Sequence, residues 1–507
     1  MAYPPASPLS TARVRPLVFS IVSLLGVSAP VAMAATIWPV TTCNDSGAGS
    51  LRAVIGAATT VSGDTINLSA LACSTISLHT GAITIPQNNL TITGPAATTL
   101  TLTGRYNGVI ENDRLFKHTG SGTLTVQNLQ MKYGNLQTTT ATAAGGCIYS
   151  KGTVQLQNVF MTSCVAHSVS GAARGGGVSA AVHIGMTDSH VGVSFARSDS
   201  GAAHGGAVYS RSVSAQVATF DFNGTSALSD SRGGAIFSTY EVSLAHSTVS
   251  NNAAVAKTSQ RAAAAGGIYL VETLTPSNTN SSLSLVSSTI SDNYAGYAGG
   301  VLSQARHVSI FNSTIVNNTA IEPTLGESFR KAAAGLALIN GRPQLYAVDV
   351  SLQSSLLANN TYTAAGPGVY HAPASFDLSE AYGGGNKYGH IIITGASNLV
   401  HGSYLDDAPL PGDTLTVCPN LGPLRFNGGT TKTVALLSHS AGIDSGNNSQ
   451  NETEDQRGRS VDATPYLYPR QSNGISDIGA YEVNQADIVF NMSFDTCAPV
   501  GTGFTPG

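Results

Sequence analysis

A glycine pair placed just ahead of an aliphatic residue returns at near-constant intervals through the middle of this chain. The clearest copies are Gly145-Gly146-Cys147-Ile148, Gly175-Gly176-Gly177-Val178, Gly205-Gly206-Ala207-Val208 and Gly233-Gly234-Ala235-Ile236. Looser copies follow at Gly266-Gly267-Ile268, Gly299-Gly300-Val301 and Gly335-Leu336, with successive starts roughly 28 to 35 residues apart. A period of this size belongs to a solenoid, in which each repeat packs only on its neighbours.

The second half of each repeat has a pattern of its own. Val242-Ser243-Leu244, Leu283-Ser284-Leu285 and Val308-Ser309-Ile310 lead into Ser247-Thr248-Val249-Ser250-Asn251-Asn252, Ser288-Thr289-Ile290-Ser291-Asp292-Asn293 and Ser313-Thr314-Ile315-Val316-Asn317-Asn318. Apolar residues alternate there with Ser and Thr at period two, which marks strands rather than helices. Strands this short bury no face alone, but stacked coils bury a continuous core. The predicted fold is therefore all-β: a single-stranded parallel β-helix, right-handed by the usual crossover rule. Stacking the coils puts Ile148, Val178, Val208, Ile236, Ile268, Val301 and Leu336 in one internal column, with neighbouring coils about 4.8 Å apart. Asn252, Asn293, Asn318 and Asn360 form a second column at a turn. Asn tolerates left-handed geometry there, and its amide reaches the same amide one coil on.

Only 10% of residues are charged and the formal net charge is -4. The chain thus lacks the clustered Lys and Arg of a nucleic-acid footprint. At 507 residues length alone gives about three domains, but a solenoid grows without adding cores. Residues 1–34 read as a secretory signal: Arg13 and Arg15, the apolar stretch Leu17 to Val27, and the small-x-small site Ala32-Met33-Ala34. An uncleaved anchor is the alternative, against which the shortness of the apolar stretch counts. No later segment is apolar for long enough to cross a bilayer, so the mature chain is expected outside the inner membrane with no transmembrane segment.

Six cysteines form three sequence-local couples, Cys43 with Cys73, Cys147 with Cys164, and Cys418 with Cys497. Other pairings are formally open. These three are expected because each ties a segment to a near neighbour, the first and last at ends where a solenoid frays. The middle loop alone would contribute roughly 3 kcal/mol on the chain-entropy model. Reduced, buried cysteines are the alternative, disfavoured in an oxidising compartment. No CxxC or HExxH spacing is present, so neither metal nor cofactor is expected.

Two further segments carry a family resemblance. Cys43-Asn44-Asp45-Ser46-Gly47-Ala48-Gly49-Ser50-Leu51-Arg52-Ala53-Val54-Ile55 with Gly63-Asp64-Thr65-Ile66 resembles the CSLREA-type N-terminal motif of bacterial secreted β-helix proteins. Leu421-Gly422-Pro423-Leu424, Asn427-Gly428-Gly429-Thr430, Ala441-Gly442-Ile443-Asp444-Ser445-Gly446, Asp455-Gln456-Arg457-Gly458 and Asp477-Ile478-Gly479-Ala480-Tyr481-Glu482 together resemble the choice-of-anchor Q domain. The resemblance implies an exported right-handed parallel β-helix of the cell envelope or medium, in a family whose members mostly have no assigned reaction. It divides the chain into a signal peptide (1–34), an N-terminal cap segment (35–74), β-helix repeats (75–400), a choice-of-anchor Q-like domain (401–483) and a tail (484–507). No terminal apolar helix follows Glu482, so release into the medium, or retention by another mechanism, is expected as readily as anchoring.

The residues support both end segments physically. Leu51, Val54, Ile55 and Ala58 have helical spacing, and a short amphipathic helix would plug the open end against strand addition. Asp444, Asp455, Arg457, Asp477 and Glu482 offer a corresponding polar network at the far end. Ion pairing through Arg457 is the expected arrangement and a calcium site the alternative.

Catalytic signatures are weak. His204-Gly205-Gly206-Ala207 resembles the oxyanion loop of lipases and Gly192-Val193-Ser194-Phe195-Ala196 approaches a nucleophile elbow, but neither lies in an alternating strand and helix pattern. Polysaccharide cleavage would need paired carboxylates, or a base with a group that neutralises a uronate. Asp188 and Asp221 align in one column, where later coils carry Thr248, Thr289 and Thr314. Parity points both outward into water, so a solvated pair is expected over a catalytic one. The stacked-Asp, Gly-His-Gly and Arg signatures of pectin-degrading enzymes are not visible. A binding surface has more support. Tyr149, Tyr209, Phe237 and Tyr269 share an outward position, Lys151 and Arg211 stand two residues on, and Arg174, His204 and Arg232 line the preceding turn. Aromatic faces with basic neighbours suit an extended anionic glycan. The alternative is that the rings stack on themselves and shield the sheet. Insertions at Thr138 to Ala144, Val255 to Ala265 and Thr319 to Ala334 add loops along one edge. The expected protein is a secreted or cell-surface monomer that binds an extracellular polysaccharide or envelope polymer, with a lyase or hydrolase on the same scaffold as the alternative.

Overall fold

The computed structural model describes residues 35–483 except 58–59, 98, 229, 259–262, 273–279, 324–332, 341–346, 366–373, 382–390, 406–407, 460–466 and 471–474. The signal segment, the tail and parts of the two later insertion loops, 259–262 and 324–332, lie outside the described residues. The fold is a parallel β-helix. One coil shows the plan: strand Ile148–Ser150, a long strand Thr153–Thr162 bent at Asn158, strand Val165–Ser168, and Ala173–Arg174 before the next glycines. Each strand pairs in parallel with its counterpart one coil on.

The predicted aliphatic column forms as expected. Ile148 pairs with Val178, then Val208, Ile236, Ile268, Val301 and Leu336 in succession, and all are fully buried. The glycines serve two different needs. The first of each pair turns the chain at positive φ, as at Gly175 (60°) and Gly205 (66°), a conformation that L side chains resist. The second stands where coils touch: a Cβ on Gly176 would lie 2.3 Å from the Gly206 carbonyl oxygen. The looser copies are displaced by one residue. Ala265 and Ala298 hold the positive-φ position there, at 56° and 55°, and Gly266 and Gly299 take the close approach.

The asparagine column is a continuous amide ladder. Asn223 donates to Asn252 (3.0 Å), Asn252 to Asn293 (2.9 Å), Asn293 to Asn318 (2.9 Å), Asn318 to Asn360 (2.8 Å), and Asn360 to Asp377 (2.8 Å). The left-handed turn itself belongs to the preceding residues, Asn251, Asp292, Asn317 and Asn359. Two neighbouring residues thus share the work that the sequence pattern assigned to one.

At the N-terminus the helix Leu51–Gly56 buries Leu51 and Ile55 in the first coils, capped by the Ser50 hydroxyl accepting from Ala53 N at 3.2 Å. Cys43–Cys73 and Cys147–Cys164 are disulfides. Cys418 is disulfide-bonded as well, and Cys497, its expected partner, lies outside the described residues. Asp45 ties the cap to a coil, accepting from Arg52 (2.7 Å), the Thr80 hydroxyl (2.7 Å) and His79 N (3.0 Å). Burial opposes its charge, yet the bonds from Thr80, Arg52 and His79 hold the carboxyl below its ordinary 3.8. A lowered folded pKa gives stability that is whole above the unfolded value and is lost as pH falls through the folded one. The cap is therefore expected to open below about pH 3.8 before the coils do. Hydrogen exchange at Leu51 and Ile55, followed from about pH 5 to about pH 2, checks this; protection that stays level across the range would refute it.

Beyond the last coil, Leu405, Ala408 and Leu410 pack over the end of the core. The rest of the C-terminal segment runs back along the flank of the coils. Two antiparallel pairs, Leu421–Arg425 with Thr433–Leu436 and Glu454–Arg459 with Leu467–Pro469, lie there. They cover the outward positions of the strands Thr248–Ser250, Thr289–Ser291, Thr314–Val316 and Leu356–Ala358. Contacts include Thr248 Oγ1 to the Lys432 carbonyl (2.6 Å), Ala480 N to Thr314 Oγ1 (2.9 Å) and Gly479 N to the Ser354 carbonyl (2.8 Å). Val316, Leu356, Ala358, Val434, Leu436 and Ile478 form the apolar part of this junction.

Candidate functional site

The aromatic column exists, but most of it is not a free surface. Tyr149, Ser179, Tyr209, Phe237 and Tyr269 are register partners on successive coils. The rings of Tyr209, Phe237 and Tyr269 stack at 5.2 and 5.3 Å. Phe237 and Tyr269 are only 4% and 5% exposed, because Ala264, Tyr297, Leu302 and Ala337 pack over them. The cationic turn position sits diagonally on the ring of the next coil. Arg114 caps Tyr149 (5.4 Å), Arg174 caps Tyr209 (5.1 Å), His204 stacks on Phe237 (4.5 Å) and Arg232 caps Tyr269 (5.3 Å). Where the turn carries Ala144, the next ring position is Ser179. Asp230 completes this layer, bonding His204 (3.3 Å) and Arg232 (2.6 Å). Burial would raise its pKa, but those bonds and the Arg232 charge hold it below the usual range. Arg211 caps Tyr240 at 4.8 Å rather than Tyr209, and Lys151 stands exposed. The stripe is chiefly a shield over the sheet.

Asp188 and Asp221 do not share a column. Asp221 is the register partner of Gly192 and Ser250, whereas Asp188 sits at a corner (φ 46°) two residues before His190, which pairs with Thr219. Nor does Asp221 point into water: it is 8% exposed, because its outward face meets Lys432 of the C-terminal segment at 3.6 Å. Its Oδ1 accepts from or pairs with His190 Nε2 at 2.6 Å. A Cβ on Gly192 would stand 2.7 Å from both groups, so the glycine makes room for the pair. His190 Nδ1 is buried, with no hydrogen-bond partner among the described residues. His190, Lys432 and the close approach at Gly192 fix the position of the Asp221 carboxylate. Nearby, burial pushes the Asp292 carboxyl up, against the bond from Ser291 and the charge of Lys432.

The open feature is a groove of about 950 Å³, which sequence reasoning missed. It runs over the strands Asn135–Thr138, Val165–Ser168, Phe195–Ser198, Gly224–Ala227 and Ala253–Ala256, paired in that order. Phe195 and Phe222 supply aromatic faces, and Arg197 lies over the Phe195 ring at 4.7 Å. Asp199 is bridged by His167 (3.1 Å) and Lys257 (3.7 Å). A signal was present in the sequence: carrying the corner column Asn317, Asp292, Asn251 one and two coils further back gives Phe222 and Val193 in place of Asn or Asp.

Among solved structures the chain is similar to one titled "Crystal structure of pectate lyase Pel9A", with 11% identity, 89% of this chain and 98% of that chain covered, and a TM-score of 0.39. Likeness at that level carries no residue role across. No protein-family model and no curated protein matches the chain.

Proposed function

We propose that this protein is exported through residues 1–34, is held in the cell envelope or medium, and binds an extracellular polysaccharide without cleaving it. The open groove across several coils of a rigid scaffold is the observation that supports this most directly. Disulfides on the described coils agree with an oxidising compartment. The CSLREA-type and choice-of-anchor Q-like segments are the sequence grounds for export, and the boundaries at 35–74, 75–400 and 401–483 belong to the same proposal.

The test is incubation of the mature chain with acidic and neutral polysaccharides, following retention together with new reducing or unsaturated ends. Retention without new ends is expected, and Tyr209→Ala is expected to leave retention intact because that ring belongs to the shielding stack. New ends that vanish in Asp221→Asn would make the protein an enzyme and overturn the proposal.

A further inference from the structure

In the later coils the corner ahead of each ladder asparagine is held by Asn251, Asp292, Asn317 and Asn359, at φ 55°, 59°, 58° and 57°. Those are the residue types that left-handed backbone favours. One and two coils before Asn251 the same corner holds Phe222 at φ 55° and Val193 at φ 50°. A bulky or β-branched side chain is disfavoured in that conformation. Both also stand in solvent, 51% and 43% exposed, so core packing does not explain them. The Lys432 ammonium lies 5.8 Å from the Phe222 ring, but neither side chain gains core burial, and backbone strain retained without it is a mark of function. Both residues border the groove.

We propose that Val193 and Phe222 are retained for ligand contact, and that the groove takes an extended uronate-bearing glycan lying across the coils. This rests on the polysaccharide-binding proposal and narrows it to a site and a chemical class. The Phe195 ring lies against Gly224, whose Cβ, if present, would be 3.1 Å from it, so the ring is laid down over the neighbouring coil. Arg197 covers that ring and, among the described residues, has no ion-pair partner of its own. Asp199 is already matched by His167 and Lys257. Uncompensated positive charge between apolar faces complements a polymer whose sugars have apolar faces and whose carboxylates repeat. Four coil steps give a run of about 19 Å, long enough for several sugar units.

The experiment measures binding of end-labelled alginate, polygalacturonate and hyaluronate oligosaccharides and of their carboxyl-reduced forms. Wild type is expected to bind an acidic form about tenfold more tightly than its reduced counterpart, with affinity falling as salt rises. Arg197→Gln is expected to remove most of that difference. The double variant Val193→Asn with Phe222→Asn is expected to bind about tenfold more weakly while its melting temperature holds or rises, since Asn suits both corners. A fall in melting temperature with unchanged binding would mean a structural role and overturn the site. Undiminished uronate binding in all three substitutions would do the same. Binding of neutral but not uronate polymers would overturn the chemical class and leave the broader proposal standing, whereas no polysaccharide binding at all removes both.

Discussion

Gly176→Ala is expected to yield little or no folded protein. The added Cβ would meet the Gly206 carbonyl oxygen at 2.3 Å and the Phe195 backbone at 2.4 and 2.5 Å. All three contacts are backbone, so no side chain can swing aside, and relief requires prising apart two coils whose ladders continue on either side. A clash of that kind belongs with the exceptional losses, above about 4 kcal/mol. Gly56→Ala is the matched control, because nothing lies within 4 Å of its Cβ and its φ is unremarkable. Comparison of soluble yield and denaturant midpoint for the two variants decides the matter. A Gly176→Ala protein that unfolds at the Gly56→Ala midpoint would show that the coils do not approach as closely as described.

The second large effect is expected at Arg457. This guanidinium is 2% exposed and bonds Asp455 at 2.7 Å, and it is sandwiched between the rings of Tyr468 and Tyr481, each 4.0 Å away. Asp455 in turn accepts from Glu482 N at 2.9 Å, and Glu482 accepts from Asp477 N at 2.9 Å. Removing one partner of a buried pair strands the other, at about 3–5 kcal/mol. The loss falls on the flank segment, so Arg457→Met is expected to split one thermal transition into two and expose 421–483 to protease while the coils stay protected. Adding Asp455→Leu is expected to recover part of the loss, since the carboxylate that Arg457 directly paired is then removed with it. A single transition at the wild-type temperature in Arg457→Met would contradict the account. The cluster sets three carboxylates, Asp455, Asp477 and Glu482, against Arg457 and Arg470, all buried. Burial pushes the Asp477 carboxyl up, beyond what the bonds from Asp444 N and Val483 N and the charge of Arg470 pull back. Its sign is opposite to that of Asp45: between the raised folded value and 3.8, mild acid favours the folded flank.

Much of the fold was legible because a solenoid writes one plan repeatedly. Residues one coil apart have the same environment, so the column from Ile148 to Leu336 and the ladder from Asn252 to Asn360 could be read by alignment alone. The misalignment of Asp188 with Asp221 came from uneven coil length: pairing two like residues overrode the true pairing of His190 with Thr219. The one-residue shift at Ala265 and Ala298 has the same origin, since a glycine pair looks alike whether it provides the turn and the close approach or the close approach and the residue after it.

Exposure was where sequence reasoning lost its hold. Period-two parity distinguishes residues facing the core from residues facing out, and it did so correctly for Asp221 and for Phe237. It carries no information about what lies outside. Phe237 is covered by side chains around Tyr297 and Ala337, and Asp221 by Lys432, a residue distant in the chain. The groove was overlooked for the converse reason: its strands look ordinary, and its corner residues Val193 and Phe222 break the local rule alongside Tyr133 and Val217, which do not line it.

By itself, then, the sequence determined the parallel β-helix, its buried columns, its local disulfides and the helix that closes its first coils, because each depends on contacts between neighbours in a repeating order. Tertiary structure alone decided which outward faces remain open. The C-terminal segment folds back over the coils from Thr248 to Leu356 and, among the described residues, leaves the groove beside Phe195 open, through contacts between residues far apart in the chain that no local period encodes.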